Sequence, residues 1–292
     1  MFSGSLVAIV TPMRPDFTVD FPAWERLLDW HLQNGSRGII VGGTTGESAT
    51  LSDVELWELT QRACTRAGDR LAIIAGAGTS STAATVERAK RLSELPIDAL
   101  LVVTPAYNRP TQEGLFQHFS TVARSARAPL ILYNVPSRTA VDMLPETVAR
   151  LAQVPGIVAI KEAVADRQRI AALLAACPKE FAILSGDDAS ACRSILAGAR
   201  GVISVTANVS PRAMAQMATA ALEADAVAAE RADAPLSALH RDLFIESNPI
   251  PVKWALATMG LIGGALRLPL TELSGTYRPA VLAALKAAGV PS

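Results

Sequence analysis

Short apolar runs recur along this chain with amphipathic segments between them, and that alternation constrains the fold more than any other feature. The runs are Leu6–Val10, Gly38–Val41, Leu71–Ala75, Ala99–Val103, Leu130–Tyr133, Val158–Lys161, Ala182–Ser185 and Gly201–Ser204, eight in all. Runs this short and this apolar read as strands buried on both faces, as in a parallel sheet. The segments between them are rich in Ala, Leu, Glu and Arg. In Trp24 to Leu32, for example, Trp24, Leu27, Leu28 and His31 fall on one face at helical spacing. Glu113 to Arg127 and Glu146 to Gln153 repeat the pattern. Strand–helix alternation argues for a parallel sheet. The repeat shortens from about thirty residues per unit to about twenty, near what a closed (β/α)8 TIM barrel requires. The first strand is not followed by G-x-G-x-x-G, so an open dinucleotide-binding sheet loses ground.

After Ser204 the alternation stops. Pro211 to Glu230, Arg241 to Ile245, Pro251 to Met259 and Pro279 to Ala288 read as helices with no further strand. The expected organisation is a barrel over residues 1–224 and a C-terminal helical appendage over 225–292, packed on the barrel because no low-complexity linker separates them. Lys253 lies in an apolar helical run of the appendage and is expected to snorkel. The 292 residues carry 27 basic and 27 acidic side chains, a balance that points to no nucleic-acid partner. Cys64, Cys177 and Cys192 are scattered and form no C-x-x-C, so neither a disulfide framework nor a zinc site is indicated. No apolar run is long enough for a membrane span, and the N-terminus shows no signal pattern; a cytoplasmic protein is expected.

In a parallel barrel, chemistry gathers where strands end. Strand two runs into Gly42-Gly43-Thr44-Thr45-Gly46-Glu47-Ser48, a tight turn with two hydroxyls and amides able to form an anion-binding concavity. Strand four runs into Tyr107. Strand five ends at Tyr133, followed by Asn134 to Thr139 with Arg138. Strand six ends at Lys161, strand seven at Ser185-Gly186-Asp187-Asp188, and strand eight at Ser204. A lysine desolvated at the rim of a core is poised to attack a carbonyl as the neutral amine. Alternatively, Lys161 marks only where the strand meets water, or pairs with Glu162. A metal-dependent aldolase needs about three convergent His, Asp or Glu ligands. None can be assembled, since Asp187 and Asp188 diverge and His31, His118 and His240 lie on helical patterns where histidine is usually structural. What remains is an amine, phenols and a guanidinium, a set suited to iminium chemistry on an oxo-acid.

Four motifs carry a family resemblance: Gly43 to Ser48, Tyr133 to Thr139, Ile160-Lys161-Glu162-Ala163 and Leu184 to Asp188. With Gly4 to Pro12, Asn248 to Trp254 and Leu266 to Leu270, the chain resembles the 4-hydroxy-tetrahydrodipicolinate (dihydrodipicolinate) synthase family over nearly its whole length. That family belongs to the pyruvate-dependent class I aldolase superfamily that includes N-acetylneuraminate lyase. The resemblance implies a lyase of diaminopimelate and lysine biosynthesis that joins pyruvate to L-aspartate-4-semialdehyde and needs no cofactor or metal. It implies that Lys161 forms the Schiff base and Tyr133 moves protons in a relay with Thr44 and Tyr107, the latter contributed across a subunit interface. Thr45 would bind the pyruvate carboxylate and Arg138 that of the semialdehyde, while Gly186 and the Ile203 carbonyl line the pocket. A homotetramer built from tight dimers is implied as well.

The chain departs from the family's pattern in two places. Lysine-inhibited members share a dimer-interface pocket of His, Asn, Glu and Tyr side chains. The matching positions here are Asp53, Leu56, Ser80, Ala84 and Ala106, so weak or no lysine inhibition is expected. Val164-Ala165-Asp166 also stands where the family often has Thr and Gly. Two rival readings are a retro-aldol lyase of sialic acid or 2-keto-3-deoxy sugar acids, and a non-catalytic barrel that serves as a binding protein. Arg138 with the full Tyr133–Thr139 run favours the synthase over the first, and the intact nucleophile and relay speak against the second.

Overall fold

The structure is a computed structural model and describes residues 2–291. Eight parallel strands close into a barrel in sequence order: β1 (Gly4–Ala8), β2 (Gly38–Val41), β3 (Ala72–Gly76), β4 (Ala99–Val103), β5 (Leu130–Asn134), β6 (Ile157–Glu162), β7 (Ala182–Ser185) and β8 (Gly201–Ser204). β8 returns to β1 through the register Leu6↔Ile203. The eight apolar runs are the eight strands: four match at both ends and the other four are displaced by one or two residues. The largest displacement is in β1, expected to reach Val10 but ending at Ala8. After Ser204 the neighbouring chain leaves the sheet in a turn, Thr206–Asn208. The Asn208 amide then replaces the missing strand: its Nδ2 donates to Ala8 O at 2.9 Å and its Oδ1 accepts from Val10 N at 3.1 Å.

Alternation along the strands sorts the core into two layers. Leu6, Ala8, Ile40, Ile74, Leu101, Ile131, Ala159, Leu184 and Ile203 fill the barrel interior. Val7, Ile39, Ile73, Leu100, Leu132, Ile160 and Ile183 face the surrounding helices. The helix Phe21–Gln33 presents Trp24, Leu27, Leu28 and His31 to this outer layer, as its spacing requires. Helix starts follow their caps. Ser52 and Glu55 form a reciprocal capping box at the start of Asp53–Ala67, and Thr111 and Asp187 cap Gln112–Ser125 and Asp188–Leu196.

The expected helix Pro211 to Glu230 is two, Pro211–Leu222 and Ala226–Asp233. The break comes where Ala224 turns left-handed (φ 60°) and Asp225 caps the second helix by accepting from Ala228 N at 2.9 Å. The expected division at 224/225 falls in this turn. Ser237–Asp242, Ile250–Thr258 and Arg278–Ala287 complete the appendage. Lys253 does not snorkel: its side chain is 0% exposed and ion-paired with Glu47, equally buried in the loop after β2. Lys253 Nζ also donates to Ala265 O at 2.7 Å. The Arg267 backbone N–H donates to the other Glu47 oxygen at 3.0 Å, so the same segment satisfies both members of the pair.

Candidate active site

The C-terminal mouth of the barrel brings together the ends of β5, β6, β7 and β8. Parallel pairing sets Tyr133 opposite Lys161. Inward alternation places both on the barrel interior, above the Ile131 and Ala159 layer. The Lys161 Nζ lies 4.4 Å from the centroid of the Tyr133 ring, within cation–π range. Each residue is only 6% exposed, so both are largely withdrawn from solvent. Glu162 is not the partner of Lys161. It turns to the outer face of the strand, where Asn134 donates to it and Arg169 approaches to 3.7 Å.

Gly186 follows β7 and closes on the same lysine. A β-carbon there would lie 3.1 Å from Lys161 Cε, and its N–H donates to Glu162 O at 2.6 Å. Ile203, 1% exposed at the end of β8, completes the wall. Thr44 and Thr45 open the short turn Thr44–Gly46 after β2. Thr44 is half-buried, and the buried Thr45 hydroxyl accepts from Asn248 Nδ2 at 2.9 Å. Thr11, after β1, supports the turn from below by donating to Gly46 O at 2.7 Å. Arg138 is exposed on the helix Pro136–Thr139, and its guanidinium donates to Asn248 O at 3.2 Å.

Tyr107 stands apart. It is 96% exposed on the loop after β4 and adopts a left-handed backbone (φ 71°). The loop is held rigid where Ser80 Oγ donates to Ala106 O and Asn108 Nδ2 to Ser80 O, both at 2.9 Å. Within one chain, therefore, Lys161, Tyr133, Gly186 and Ile203 converge, Thr45 and Arg138 are linked through Asn248, and Tyr107 points into open solvent.

Asn248 is the residue that inspection of single motifs overlooks. It holds both Thr45 and Arg138, and its own Oδ1 is buried with no protein partner. The signal was an Asn within a Pro-rich entry to a helix, which by itself reads as punctuation. The histidines are structural. His31 bonds Ser36, and burial pulls its pKa down to about 3; His118 bonds Thr82, and burial pulls its pKa down to about 4. His240 bonds Thr206 and Asp233. Among the described residues, no group of three or more His, Cys, Asp or Glu is placed to hold a metal ion, and no helix is long and apolar enough to cross a membrane.

A family model described as the dihydrodipicolinate synthetase family matches residues 1–288. The 4-hydroxy-tetrahydrodipicolinate synthase of Methylococcus capsulatus is 52% identical over 290 residues, covering 99% of this chain and 100% of that protein. The crystal structure of the dihydrodipicolinate synthase of Acinetobacter baumannii, complexed with pyruvate, superposes with a TM-score of 0.98 at 47% identity and covers 100% of both chains. The Cyanidioschyzon merolae enzyme with lysine bound gives 0.96 at 37% identity, over 99% of each chain. The closed barrel, the paired lysine and tyrosine at its mouth and this full-length similarity together show that the chain belongs to the dihydrodipicolinate synthetase family.

Proposed function

We propose that the chain is a lyase that condenses pyruvate with L-aspartate-4-semialdehyde to give 4-hydroxy-tetrahydrodipicolinate, the first committed step of diaminopimelate and lysine biosynthesis. Beside the family membership, the observation that carries the reading is the buried Lys161 amine held 4.4 Å from the Tyr133 ring. Lys161 Nζ adds to the pyruvate ketone and water leaves, giving a protonated imine. The imine draws electrons from the neighbouring methyl carbon, which loses a proton and becomes the enamine nucleophile. That carbon adds to the aldehyde. The amino group of the semialdehyde then adds to the imine carbon, closes the ring and releases Lys161. The reaction draws on no cofactor because the imine itself is the electron sink.

Tyr133 is the proton carrier beside the amine, with Thr44 and Tyr107 extending the relay. Thr45, fixed by Asn248, holds the pyruvate carboxylate, and Arg138 at the entrance holds that of the semialdehyde. Gly186 and the Ile203 carbonyl line the pocket. The exposed, rigid Tyr107 loop supports assembly into a homotetramer of tight dimers, in which this tyrosine completes a neighbour's site. Three free cysteines fit a reducing cytoplasm.

The altered interface pocket supports insensitivity to lysine. Asp53 is already neutralised by Arg88, at 2.7 Å, and Arg88 and Arg91 line the cavity of about 340 Å³ beside Leu56 and Ala84. A dibasic amino acid meets Arg88 and Arg91 there, with Asp53 paired to Arg88 and the other carboxylate of the cavity, Glu87, paired to Lys90. Titration with L-lysine is expected to leave the rate unchanged. A half-effect well below about a millimolar overturns this.

Borohydride reduction in the presence of pyruvate, followed by peptide mass mapping, tests the main reading. A reduced pyruvyl adduct on Lys161, absent in Lys161→Ala, is expected. Folded protein that yields no adduct in excess pyruvate overturns the mechanism. Turnover of the semialdehyde, with no cleavage of sialic acid or 2-keto-3-deoxy sugar acids, separates the synthase from a retro-aldol lyase.

A further inference from the structure

A buried polar cluster that this chemistry does not use lies directly behind the Tyr133–Lys161 pair. Alternation turns Tyr133 and Lys161 into the barrel and turns their successors, Asn134 and Glu162, out toward the helices. Asn134 and Glu162 are themselves paired in register and are 0% and 1% exposed. Asn134 Nδ2 donates to both Glu162 oxygens at 3.1 Å and to Asp142 Oδ1 at 2.8 Å, while its Oδ1 accepts from Met143 N at 3.0 Å. Glu162 Oε1 also accepts from Val164 N at 2.9 Å. Arg169, on the helix Arg167–Ala176, pairs with Asp142, donates to Met143 O at 3.1 Å and stands 3.7 Å from Glu162 Oε2.

Charges buried in an apolar layer are costly and persist where their geometry is well satisfied. This cluster is one peptide unit beyond the nucleophile on one strand and the phenol on the other. Any slip of Glu162 along β6 is therefore a slip of Lys161.

Resting on the Schiff-base reading of Lys161, we infer that Glu162 is a positioning residue for that lysine. With Asn134 it forms a clasp that holds the ends of β5 and β6 in register, and the clasp is tight when Glu162 is ionised. Donors converge on the ionised carboxylate, while burial and the Asp142 charge oppose it. From β5 comes the Asn134 amide, from the exit of β6 the Val164 N–H, and from the helix the Arg169 guanidinium, all donors. The one acceptor, Asp142, already receives Asn134 and Arg169. Asp166 caps the same helix by accepting from Gln168 N and acts electrostatically on Arg169. From β7 comes Ser185, whose hydroxyl is turned to Asp187 O. Protonation of Glu162 removes the charge on which these donors converge.

Burial, helped by the Asp142 charge, pushes the Glu162 carboxyl up to about 7, against the Val164 and Asn134 hydrogen bonds and the Arg169 charge. Both forms are then populated near neutral pH. As pH falls through about 7, Glu162 takes up a proton, the clasp loosens and Lys161 is held less firmly. Stability runs the other way for this group. The folded state binds its proton more tightly than an ordinary carboxyl of 4.5, so its contribution is full below 4.5 and is lost as pH rises through about 7. A merely structural Glu162 moves activity and stability together, whereas a positioning Glu162 moves them apart.

The test follows the rate at which pyruvate is trapped on Lys161 by borohydride, from about pH 6 to about pH 8.5, in the full chain, Glu162→Gln and Asn134→Ser. Melting temperatures are recorded alongside. The parent protein is expected to slow on the acid side through an ionisation near 7 that Glu162→Gln lacks, other ionisations being shared by the two proteins. Asn134→Ser, with the clasp cut, is expected to be about tenfold slower or more while still folded. No adduct in the parent overturns the Schiff-base reading. A normal parent adduct with identical pH profiles in the parent and Glu162→Gln, or with full rate in Asn134→Ser, overturns the positioning role alone. If Glu162→Gln fails to fold, the rate of Asn134→Ser decides.

Discussion

A β-carbon at Gly186 would be a tight fit. A methyl group there would lie 3.0 Å from Ala163 Cβ and 3.1 Å from both Glu162 O and Lys161 Cε. Each of the three would have to give by a few tenths of an ångström, and the far end of the lysine, the one flexible partner, gives first. Gly186→Ala is expected to lower kcat/KM by roughly 10- to 100-fold with little change in melting temperature. Unchanged kinetics would show that Lys161 does not work from this position. At the same scale, Lys161 and Tyr133 were legible because each polar group ends an apolar strand, a place with one physical meaning in a parallel barrel. Lys253 was not legible. A lysine within an apolar helical run looks the same whether it reaches water or an acid, and its acid, Glu47, is 206 residues away.

The elements that matter most are the turn after β2 and the helix Ile250–Thr258. Glu47 ends the turn in a left-handed conformation (φ 58°), a strained state for a residue with a side chain, and its N–H donates to Thr44 O at 3.1 Å. Its carboxylate is gripped by Lys253 and the Arg267 backbone, while Asn248 grips Thr45 just before the same helix. The appendage thus holds the threonine turn in place from outside the barrel. Lys253→Met is expected to destabilise the protein by roughly 3–5 kcal/mol, because it strands a buried carboxylate. The double variant Glu47→Gln/Lys253→Met should recover part of that loss in chemical denaturation. Additive losses would mean that the two side chains are not coupled. The turn's glycines and hydroxyls were visible as a motif, but its clamp was not, since helix periodicity reports which face is buried and not what that face meets.

At the scale of the whole molecule, one chain leaves its site open on the side of Tyr107. Tyr107 is 96% exposed while Tyr133 is 6% exposed, so within one chain the two phenols lie in different surroundings. Mixing subunits tests whether Tyr107 serves another chain. Lys161→Ala and Tyr107→Phe proteins are each expected to be nearly inactive. Co-expressed as exchangeable dimers, they should regain about a quarter of full activity, since half of the pairs are mixed and each mixed pair has one intact site. No recovery in verified mixed dimers would place the functional tyrosine within its own subunit and sink the shared-site reading.

The amino-acid sequence by itself determined the closed eightfold barrel, the helical appendage and the identity of the lysine and tyrosine at the barrel mouth. Those features are written in local pattern: a short continuous apolar run buries a strand on both faces, spacing of 3.6 buries one helix face, and the residue after a buried strand emerges at the rim. Only the tertiary structure decided that Ala224 breaks a helix, that Asn208 stands in for two residues of β1, that Lys253 is sealed against Glu47, and that Asn134 and Glu162 form a clasp behind the nucleophile. The first is a local left-handed turn; the other three are pairings of polar groups between elements distant in sequence. Burial makes such pairings strong, and distance along the chain leaves them without a local pattern to announce them.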